Sequence, residues 1–299
     1  MPEHMPTHLL SSKDLDRFLN VAARAAVRAG TAAHKRFGKA RNIKRKGAID
    51  LVTEADKAAE KLIRAAIEKK FPHHSFYGEE SGRDLRTSEF VWVVDPIDGT
   101  TNFVHGYPFY AVSIGLVFQG ETVLGCVYEP LTKSLYTAHT KASSKKNGRV
   151  IHVSRTARLI DSLMITGFYY NVMDNTGYDN MLEFNRIVKC TQGVRRDGSA
   201  VLDLCRVAEG AVEGFWEYSL APWDVCAGGI IVQKAGGTVS GLDGKPYDIH
   251  SRKCIVASNG RVHGKFIRAL KGRSAWHPSS VPSGKRPSVN IIPCAGTRT

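Results

Sequence analysis

The most informative segment of the sequence is Val91-Trp92-Val93-Val94-Asp95-Pro96-Ile97-Asp98-Gly99-Thr100-Thr101-Asn102-Phe103. Its first four residues are apolar and mostly β-branched, which predicts a buried strand. Pro96 interrupts regular hydrogen bonding and Gly99 permits an unusual backbone angle, so the chain should turn sharply there. Asp95 and Asp98 would then lie together at a strand end.

Two interpretations fit this turn when it is considered alone. It is either a β-turn with solvated acids or a site that holds hard cations against a phosphate group. Magnesium takes carboxylates, waters and phosphate oxygens as ligands. Backbone N–H groups after Gly99 could bind the anion. The choice depends on which acids the rest of the chain adds.

Composition narrows the setting of the protein. With 299 residues and 42% hydrophobic content, the chain can bury a large core. The net charge of +14 suits an anionic substrate, nucleic acid or a membrane surface, and basic residues concentrate between Lys35 and Lys46. Six cysteines without CxxC spacing predict reduced thiols. Because no apolar run has membrane-spanning length and the N-terminus lacks a signal-peptide core, we expect a cytoplasmic protein without a membrane partner.

Two glutamates follow a short apolar strand in Ser75-Phe76-Tyr77-Gly78-Glu79-Glu80-Ser81. Adjacent side chains in an extended segment point in opposite directions, so the two cannot serve one atom equally. We favour Glu79 as a direct metal ligand. An acidic surface loop is the alternative for this pair taken alone.

Two further acids occur where helices are predicted to begin. Asp56 follows Thr53 at capping-box spacing, so it is either a helix cap or an acid that reaches the site from a helix start, and both roles are compatible. Asp224 lies just after Pro222, in a predicted first turn that leads into Gly228-Gly229. It either compensates the helix dipole or adds a carboxylate to the cluster.

The element pattern changes along the chain. Strands predicted at residues 109–118, 122–128, 134–137 and 150–153 follow two helices, whereas strands and helices alternate beyond residue 154. We therefore expect three parts: an N-terminal α+β lobe with the metal-binding motifs (residues 1–153), a C-terminal α/β lobe that contributes Asp224 and substrate contacts (154–271), and a flexible basic tail (272–299).

Three motifs in this order resemble the inositol monophosphatase family: Gly78-Glu79-Glu80-Ser81, the segment from Asp95 to Phe103, and Trp223-Asp224 before a glycine-rich helix. The resemblance runs from about Asp14 to Leu270. It implies a mixed α+β and α/β fold, the layered αβαβα sandwich of the inositol monophosphatase and fructose-1,6-bisphosphatase type. It also implies two or three Mg²⁺ ions, inhibition by lithium, hydrolysis of small phosphate monoesters and a homodimer.

The resemblance also implies roles for individual residues. The first metal would be held by Glu79, Asp95 and the carbonyl of Ile97, and the second by Asp95, Asp98 and Asp224. Thr100, assisted by Asp56, would orient the attacking water, with Glu79 also near that water. The residues expected to contact substrate are Asp98, Gly99, Thr100, Gly198, Ser199, Ala200, Glu217 and Asp224.

The chemistry is consistent with these roles. A phosphate dianion repels a nucleophile, so cations that neutralise it and activate water are needed. The sequence has no Ser-His-Asp or cysteine nucleophile pattern, which favours direct attack by water. Two departures concern Lys46, whose spacing to the Asp50-Leu51-Val52-Thr53 segment is one residue shorter than in some relatives, and the segment from Phe168 to Gly177, which matches no substrate pattern.

Three hypotheses follow. The first is a magnesium-dependent phosphatase of inositol monophosphate. The second keeps this chemistry with fructose 1,6-bisphosphate, histidinol phosphate or a nucleotide 3′,5′-bisphosphate as substrate. The third is a main or added role in binding RNA or a transcription complex, suggested by the basic run and the tail.

Overall fold

The computed structural model describes residues 10–39, 44–45, 51–168 and 179–272. These residues form five layers in the order helices, sheet, helices, sheet, helices. The predicted αβαβα sandwich is confirmed. Three features fall outside the described residues: Lys46, the segment 169–177, and the tail beyond residue 272.

The elements are numbered in chain order. The helices are α1 (Ser12–His34), α2 (Glu54–Glu68), α3 (Thr100–His105), α4 (Met181–Val188), α5 (Ala200–Ala208), α6 (Pro222–Lys234) and α7 (His263–Leu270). The strands are β1 (Lys44–Arg45), β2 (Leu51–Val52), β3 (Ser75–Gly78), β4 (Gly82–Arg83), β5 (Phe90–Asp98), β6 (Ala111–Phe118), β7 (Glu121–Glu129), β8 (Ser134–His139), β9 (Ala142–Lys146), β10 (Arg149–Val150), β11 (Leu163–Thr166), β12 (Gly193–Arg195), β13 (Gly214–Glu217), β14 (Thr238–Gly241) and β15 (Ile255–Ser258).

The first sheet has the strand order β10-β9-β8-β7-β6-β5-β3-β4. It is antiparallel except where β3 runs parallel to β5. Helices α1 and α2 cover one face, and α1 begins at a capping box formed by Ser11 and Asp14. Leu15, Phe18 and Ala22 of α1 pack into the core against this sheet.

The second sheet has the strand order β12-β11-β13-β15-β14. Strand β11 is parallel to both neighbours, whereas β15 is antiparallel to β13 and β14. Helices α5 and α6 fill the layer between the two sheets, and α4 and α7 cover the outer face. Because α6 is covered on both sides, it is apolar nearly all round rather than amphipathic.

Turn residues agree with the sequence analysis, and some element ends do not. Gln119-Gly120 and Asn147-Gly148 both have two successive positive φ angles, as the tight hairpin turns require. The strand predicted at residues 150–153 is wrong beyond Val150. Helix α3 was not predicted. The first sheet ends at residue 150 and the second begins at residue 163, but the division into lobes stays a prediction.

The described cysteines agree with the expectation of reduced thiols. Within the described parts of the chain, Cys126, Cys190, Cys205, Cys226 and Cys254 are free and buried. No described helix is long and apolar enough to cross a membrane.

Candidate active site

The centre of the site is the junction between β5 and α3. Strand β5 continues through Asp98, so Asp95 and Asp98 both lie at its end, as expected. A β-bulge shifts the register between β5 and β6 from Asp95 to Asp98. The bulge changes the direction of the side chains without ending the strand. Gly99 then has a φ of +92°, and a Cβ there would lie 3.0 Å from the Phe109 carbonyl oxygen. Only glycine fits this position without strain.

Helix α6 brings the third aspartate. Pro222 is its first residue, and the Oδ2 atom of Asp224 accepts a hydrogen bond of 2.7 Å from the Ala221 N–H. Asp224 therefore lies in the first turn of α6 and caps it, a position that also agrees with the dipole interpretation. It also faces β5, so the cap and the cluster role are compatible.

These acids converge although they come from distant parts of the chain. Ligand oxygens of Asp95, Asp98 and Asp224 all lie within 4.8 Å of one another. Asp95 is 2% exposed and Asp98 is 7% exposed. Such a group of carboxylates, with oxygen as the only donor type, fits a hard cation such as Mg²⁺.

The electrostatics show what this convergence costs without a cation. Burial, followed by the charges of Glu79, Asp98 and Asp224, raises the pKa of Asp95 well above its usual value. Burial and the charge of Asp98 likewise raise the pKa of Asp224. Burial raises the pKa of Asp98 to about 6, although hydrogen bonds from α5 oppose this. A bound cation would relieve the repulsion and keep all three ionised.

Glu79 adjoins this group, and its charge acts on Asp95 and Asp224. Strand β3 ends at Gly78, and Glu79 and Glu80 lie in the turn that follows, so the argument from an extended segment does not apply to them. The Glu79 N–H donates to the Val94 carbonyl at 3.0 Å. Its carboxylate hydrogen-bonds to Asp95 and contributes the largest nearby charge acting on that residue. Glu79 is thus next to Asp95, and its ligand role stays a prediction.

Asp56 and Thr100 form a buried pair. One oxygen of Asp56, Oδ2, accepts hydrogen bonds from the Thr53 N–H at 2.8 Å and from the Thr53 hydroxyl at 2.5 Å. The other, Oδ1, lies 3.1 Å from the Thr100 hydroxyl, which is also 3.0 Å from the Ile97 carbonyl. Asp56 is 1% exposed, and burial raises its pKa despite these bonds. Both predicted roles of Asp56, the cap and the reach into the site, therefore have contacts that support them.

The start of α5 binds Asp98 from the other side. The Oδ2 atom of Asp98 accepts hydrogen bonds from the Ser199 hydroxyl at 2.6 Å and the Val201 N–H at 2.7 Å. The Ser199 side chain is therefore used to hold Asp98. Gly198 has a φ of +87° and its carbonyl lies next to Gly99. Substrate contacts of Gly198, Ser199 and Ala200 stay predictions.

Glu217 is the last residue of β13. It is 9% exposed, and burial together with the charge of Asp98 raises its pKa to about 8, while Arg196 opposes the shift. A Cβ at Gly167 would lie 2.1 Å from a Glu217 carboxylate oxygen. Gly167 therefore leaves the space in which this carboxylate lies.

Sequence reasoning missed two residues that shape the site. Gly167 gave no signal, because it follows a short strand in a segment without a motif. Asn102 lies in the quoted stretch, and its amide donates to the carbonyls of Phe109 at 2.7 Å and Asp197 at 2.8 Å. These bonds tie α3 to the segment before α5. An asparagine in a polar stretch is too common a feature to predict this role.

Comparisons with known proteins agree with this geometry. The chain is 42% identical to the inositol-1-monophosphatase of Synechocystis over 90% of this chain and 93% of the relative. It is 38% identical to the Nus factor SuhB of Pseudomonas aeruginosa over 90% of this chain and 98% of that protein. The solved structure of inositol monophosphatase from Anabaena (Nostoc) superposes with a TM-score of 0.80 at 40% identity, covering 87% of this chain and 97% of the other.

The layered fold and its carboxylate centre thus define a phosphatase that acts on phosphate monoesters. More narrowly, the chain belongs to the inositol monophosphatase family, whose sequence profile matches residues 14–275.

Proposed function

We propose that the protein hydrolyses a small phosphorylated polyol, with inositol monophosphate as the favoured substrate, in a reaction that depends on Mg²⁺. The observation that carries this proposal is the convergence of Asp95, Asp98 and Asp224 within 4.8 Å. These side chains, with Glu79 and the carbonyl of Ile97, would hold two or three ions. Bound Mg²⁺ would supply positive charge to neutralise the phosphate, acidify water and stabilise the leaving oxygen.

The residues around the ions have separate tasks. The Thr100 hydroxyl donates its proton to Asp56, so its oxygen would be free to accept a hydrogen bond from the attacking water. This pair would thereby orient the water. Asp56 can do this because its other oxygen is fixed by Thr53. The N–H groups of Gly99 and Thr100 would bind a phosphate oxygen.

Substrate choice depends on the residues that would contact the polyol part of the substrate. Glu217 lies at the site beside Gly167 and would accept hydrogen bonds from the hydroxyls of a polyol, with Gly198, Ser199 and Ala200 completing the surface. Fructose 1,6-bisphosphate, histidinol phosphate and a nucleotide 3′,5′-bisphosphate remain alternative substrates, since all would use the same phosphate chemistry. Leaving-group contacts separate these substrates.

A phosphate-release assay over this panel, with and without Mg²⁺, tests the proposal. We expect Mg²⁺-stimulated release that is fastest in kcat/KM for inositol monophosphate, and we also expect lithium inhibition and a dimer in solution. Asp224→Asn should lose this stimulation, whereas the control Asp161→Asn, an exposed acid paired with Arg158, should retain it. No stimulated release from any substrate would refute the hydrolase proposal.

A second function is suggested by one relative, the Pseudomonas aeruginosa protein named as a Nus factor. We propose binding to RNA or a transcription complex as an added role, supported by the basic run, of which Lys35, Arg36 and Lys39 are exposed. Arg41 and Lys46 lie outside the described residues. Electrostatic association is strongest at low salt. Absence of RNA binding at low salt would refute the RNA form of this role.

A further inference from the structure

One face of α2 contacts the catalytic segments through three polar side chains spaced four residues apart. Asp56 accepts from the Thr100 hydroxyl, Glu60 accepts from the Glu80 N–H, and Arg64 lies 3.4 Å from the Ser81 hydroxyl. Residues four apart are neighbours on a helix surface. The same face therefore reaches both the α3 start and the turn that carries Glu79.

Glu60 is the member of this row that the reaction chemistry has not used. It is 4% exposed, and its Oε2 atom accepts a hydrogen bond of 2.9 Å from the Glu80 N–H. Burying a carboxylate costs free energy, because the group loses its hydration, unless hydrogen bonds within the protein replace it. The bond fixes the backbone one residue after Glu79.

The Glu60 carboxylate lies very close to Gly78, the residue before Glu79. A Cβ at Gly78 would be 2.3 Å from Glu60 Oε2 and 2.6 Å from its carboxyl carbon. No residue with a side chain fits there unless Glu60 moves. The Gly-Glu-Glu motif thus contains a glycine that makes room for a carboxylate on α2.

The turn is held on both sides of Glu79. Its own N–H donates to Val94 of β5 at 3.0 Å, and the next N–H donates to Glu60 of α2. Two such anchors leave the Glu79 side chain few backbone positions from which to reach Asp95. Groups that orient a metal ligand typically change metal affinity or activity when they are removed.

We propose that Glu60 is a positioning residue: by accepting the Glu80 N–H, it holds the turn in the conformation that directs Glu79 at the metal centre. This inference rests on the proposed metal-dependent function. It concerns a hydrogen-bond acceptor rather than a charge, and this distinction determines the choice of variants.

The test compares Glu60→Gln with Glu60→Met. Glutamine keeps an acceptor oxygen, whereas methionine fills a similar volume without one. Glu89→Gln and Glu89→Met serve as matched controls, because Glu89 is an exposed glutamate on the segment before β5. Three measurements are made on each: hydrogen exchange of the Glu80 amide in the metal-free protein, Mg²⁺ affinity by calorimetry, and Tm without metal.

We expect Glu60→Met to lose protection of the Glu80 amide and to weaken Mg²⁺ binding by about 10- to 100-fold. Glu60→Gln should keep that protection and bind Mg²⁺ within about threefold of wild type, since its acceptor remains. The Glu89 variants should match wild type in all three measurements.

Two results would overturn the inference. One is a folded Glu60→Met protein with wild-type protection at Glu80 and wild-type Mg²⁺ affinity. The other is a Glu60→Gln protein that binds Mg²⁺ more than about tenfold more weakly, because charge and not the acceptor would then matter. If the methionine variant does not fold, the glutamine variant still keeps the inference falsifiable, because such a loss of Mg²⁺ affinity would refute it. Absence of Mg²⁺ binding by wild type would instead refute the proposed function, and the exchange data would still report whether Glu60 holds the turn.

Discussion

Replacing Asp98 by asparagine in metal-free protein should change how stability depends on pH. Asp98 is 7% exposed, and its pKa is about 6 in the folded protein against 3.8 ordinarily. A carboxyl whose pKa is raised by folding binds protons more tightly in the folded state. Its favourable contribution is therefore complete below about pH 4 and is lost as the pH rises through about 6.

The size of the effect follows from this shift. A difference of about two pKa units corresponds to about 3 kcal/mol of unfolding free energy, and roughly half of it is lost between pH 5 and pH 8. The group is buried, so solvent screening reduces it little. The charge of Asp98 also raises the pKa values of Asp95 and Asp224, so its removal lowers theirs and further flattens the pH dependence.

Urea unfolding in EDTA at pH 5, 6, 7 and 8 measures this. From pH 5 to pH 8, wild type should lose at least about 1.5 kcal/mol more stability than Asp98→Asn. The absolute stability of the variant is a poorer readout, because the hydrogen bonds from Ser199 and Val201 would then go to a neutral amide oxygen and be weaker than those to a carboxylate. Asp161→Asn, at an exposed acid, should follow wild type, and saturating Mg²⁺ should restore the lost stability of wild type. Identical pH slopes for wild type and Asp98→Asn would refute the account of the acid cluster. Asp98→Asn should remain folded, and in the phosphate-release assay it should show no turnover.

Three further predictions concern single contacts. Thr100→Val should lower kcat about 100-fold with KM within about threefold, and adding Asp56→Asn should lower it little further, because the two act as one unit; additive losses in steady-state kinetics would contradict the pairing. Glu217→Met, which removes the acceptor oxygens, should lower kcat/KM about tenfold for inositol monophosphate but less than about threefold for p-nitrophenyl phosphate, which has no hydroxyls. Equal losses would argue against polyol recognition. Burial lowers the pKa of His74 to about 4, so the folded protein favours neutral His74. About 1 to 2 kcal/mol of unfolding free energy should therefore be lost as the pH falls from about 6.5 to about 4, after allowance for the partial exposure of the ring. In urea titrations His74→Gln should flatten this dependence of stability on pH, and an unchanged dependence would contradict the assignment.

The fold was predictable where local chemistry determines local structure. Thr53 with Asp56 predicted the start of α2, and Asn147-Gly148 predicted a hairpin turn, because caps and tight turns depend on a few adjacent residues. The short helix α3 was not predictable in this way. It begins after a glycine with a positive φ angle rather than after a side-chain cap, and Asn102 stabilises it through carbonyls that are close only in the folded chain.

The site was predictable in its acids and not in its supports. Two motifs, the segment from Asp95 to Phe103 and Trp223-Asp224, predicted through the family resemblance that Asp95, Asp98 and Asp224 come together, because each motif has a recognisable turn or helix start. Gly167 acts through a contact with Glu217 across two strands, and Glu60 acts through an N–H that its own segment does not contain. Such roles depend on tertiary approach, which no local pattern encodes.

The supports explain how a chain keeps acids together against their repulsion. Asp95 accepts from the Ile97 N–H at 2.9 Å, Asp224 from the Ala221 N–H, Asp98 from Val201 and Ser199, and Glu60 from the Glu80 N–H. In each case a backbone amide binds one carboxylate oxygen. In the three aspartates this arrangement fixes the side chain while it leaves oxygen capacity for a cation. Glu60 differs from the three aspartates, because its hydrogen-bonded oxygen holds the turn that carries Glu79. Loss of its acceptor should therefore loosen Glu79 without removing any atom from the metal centre.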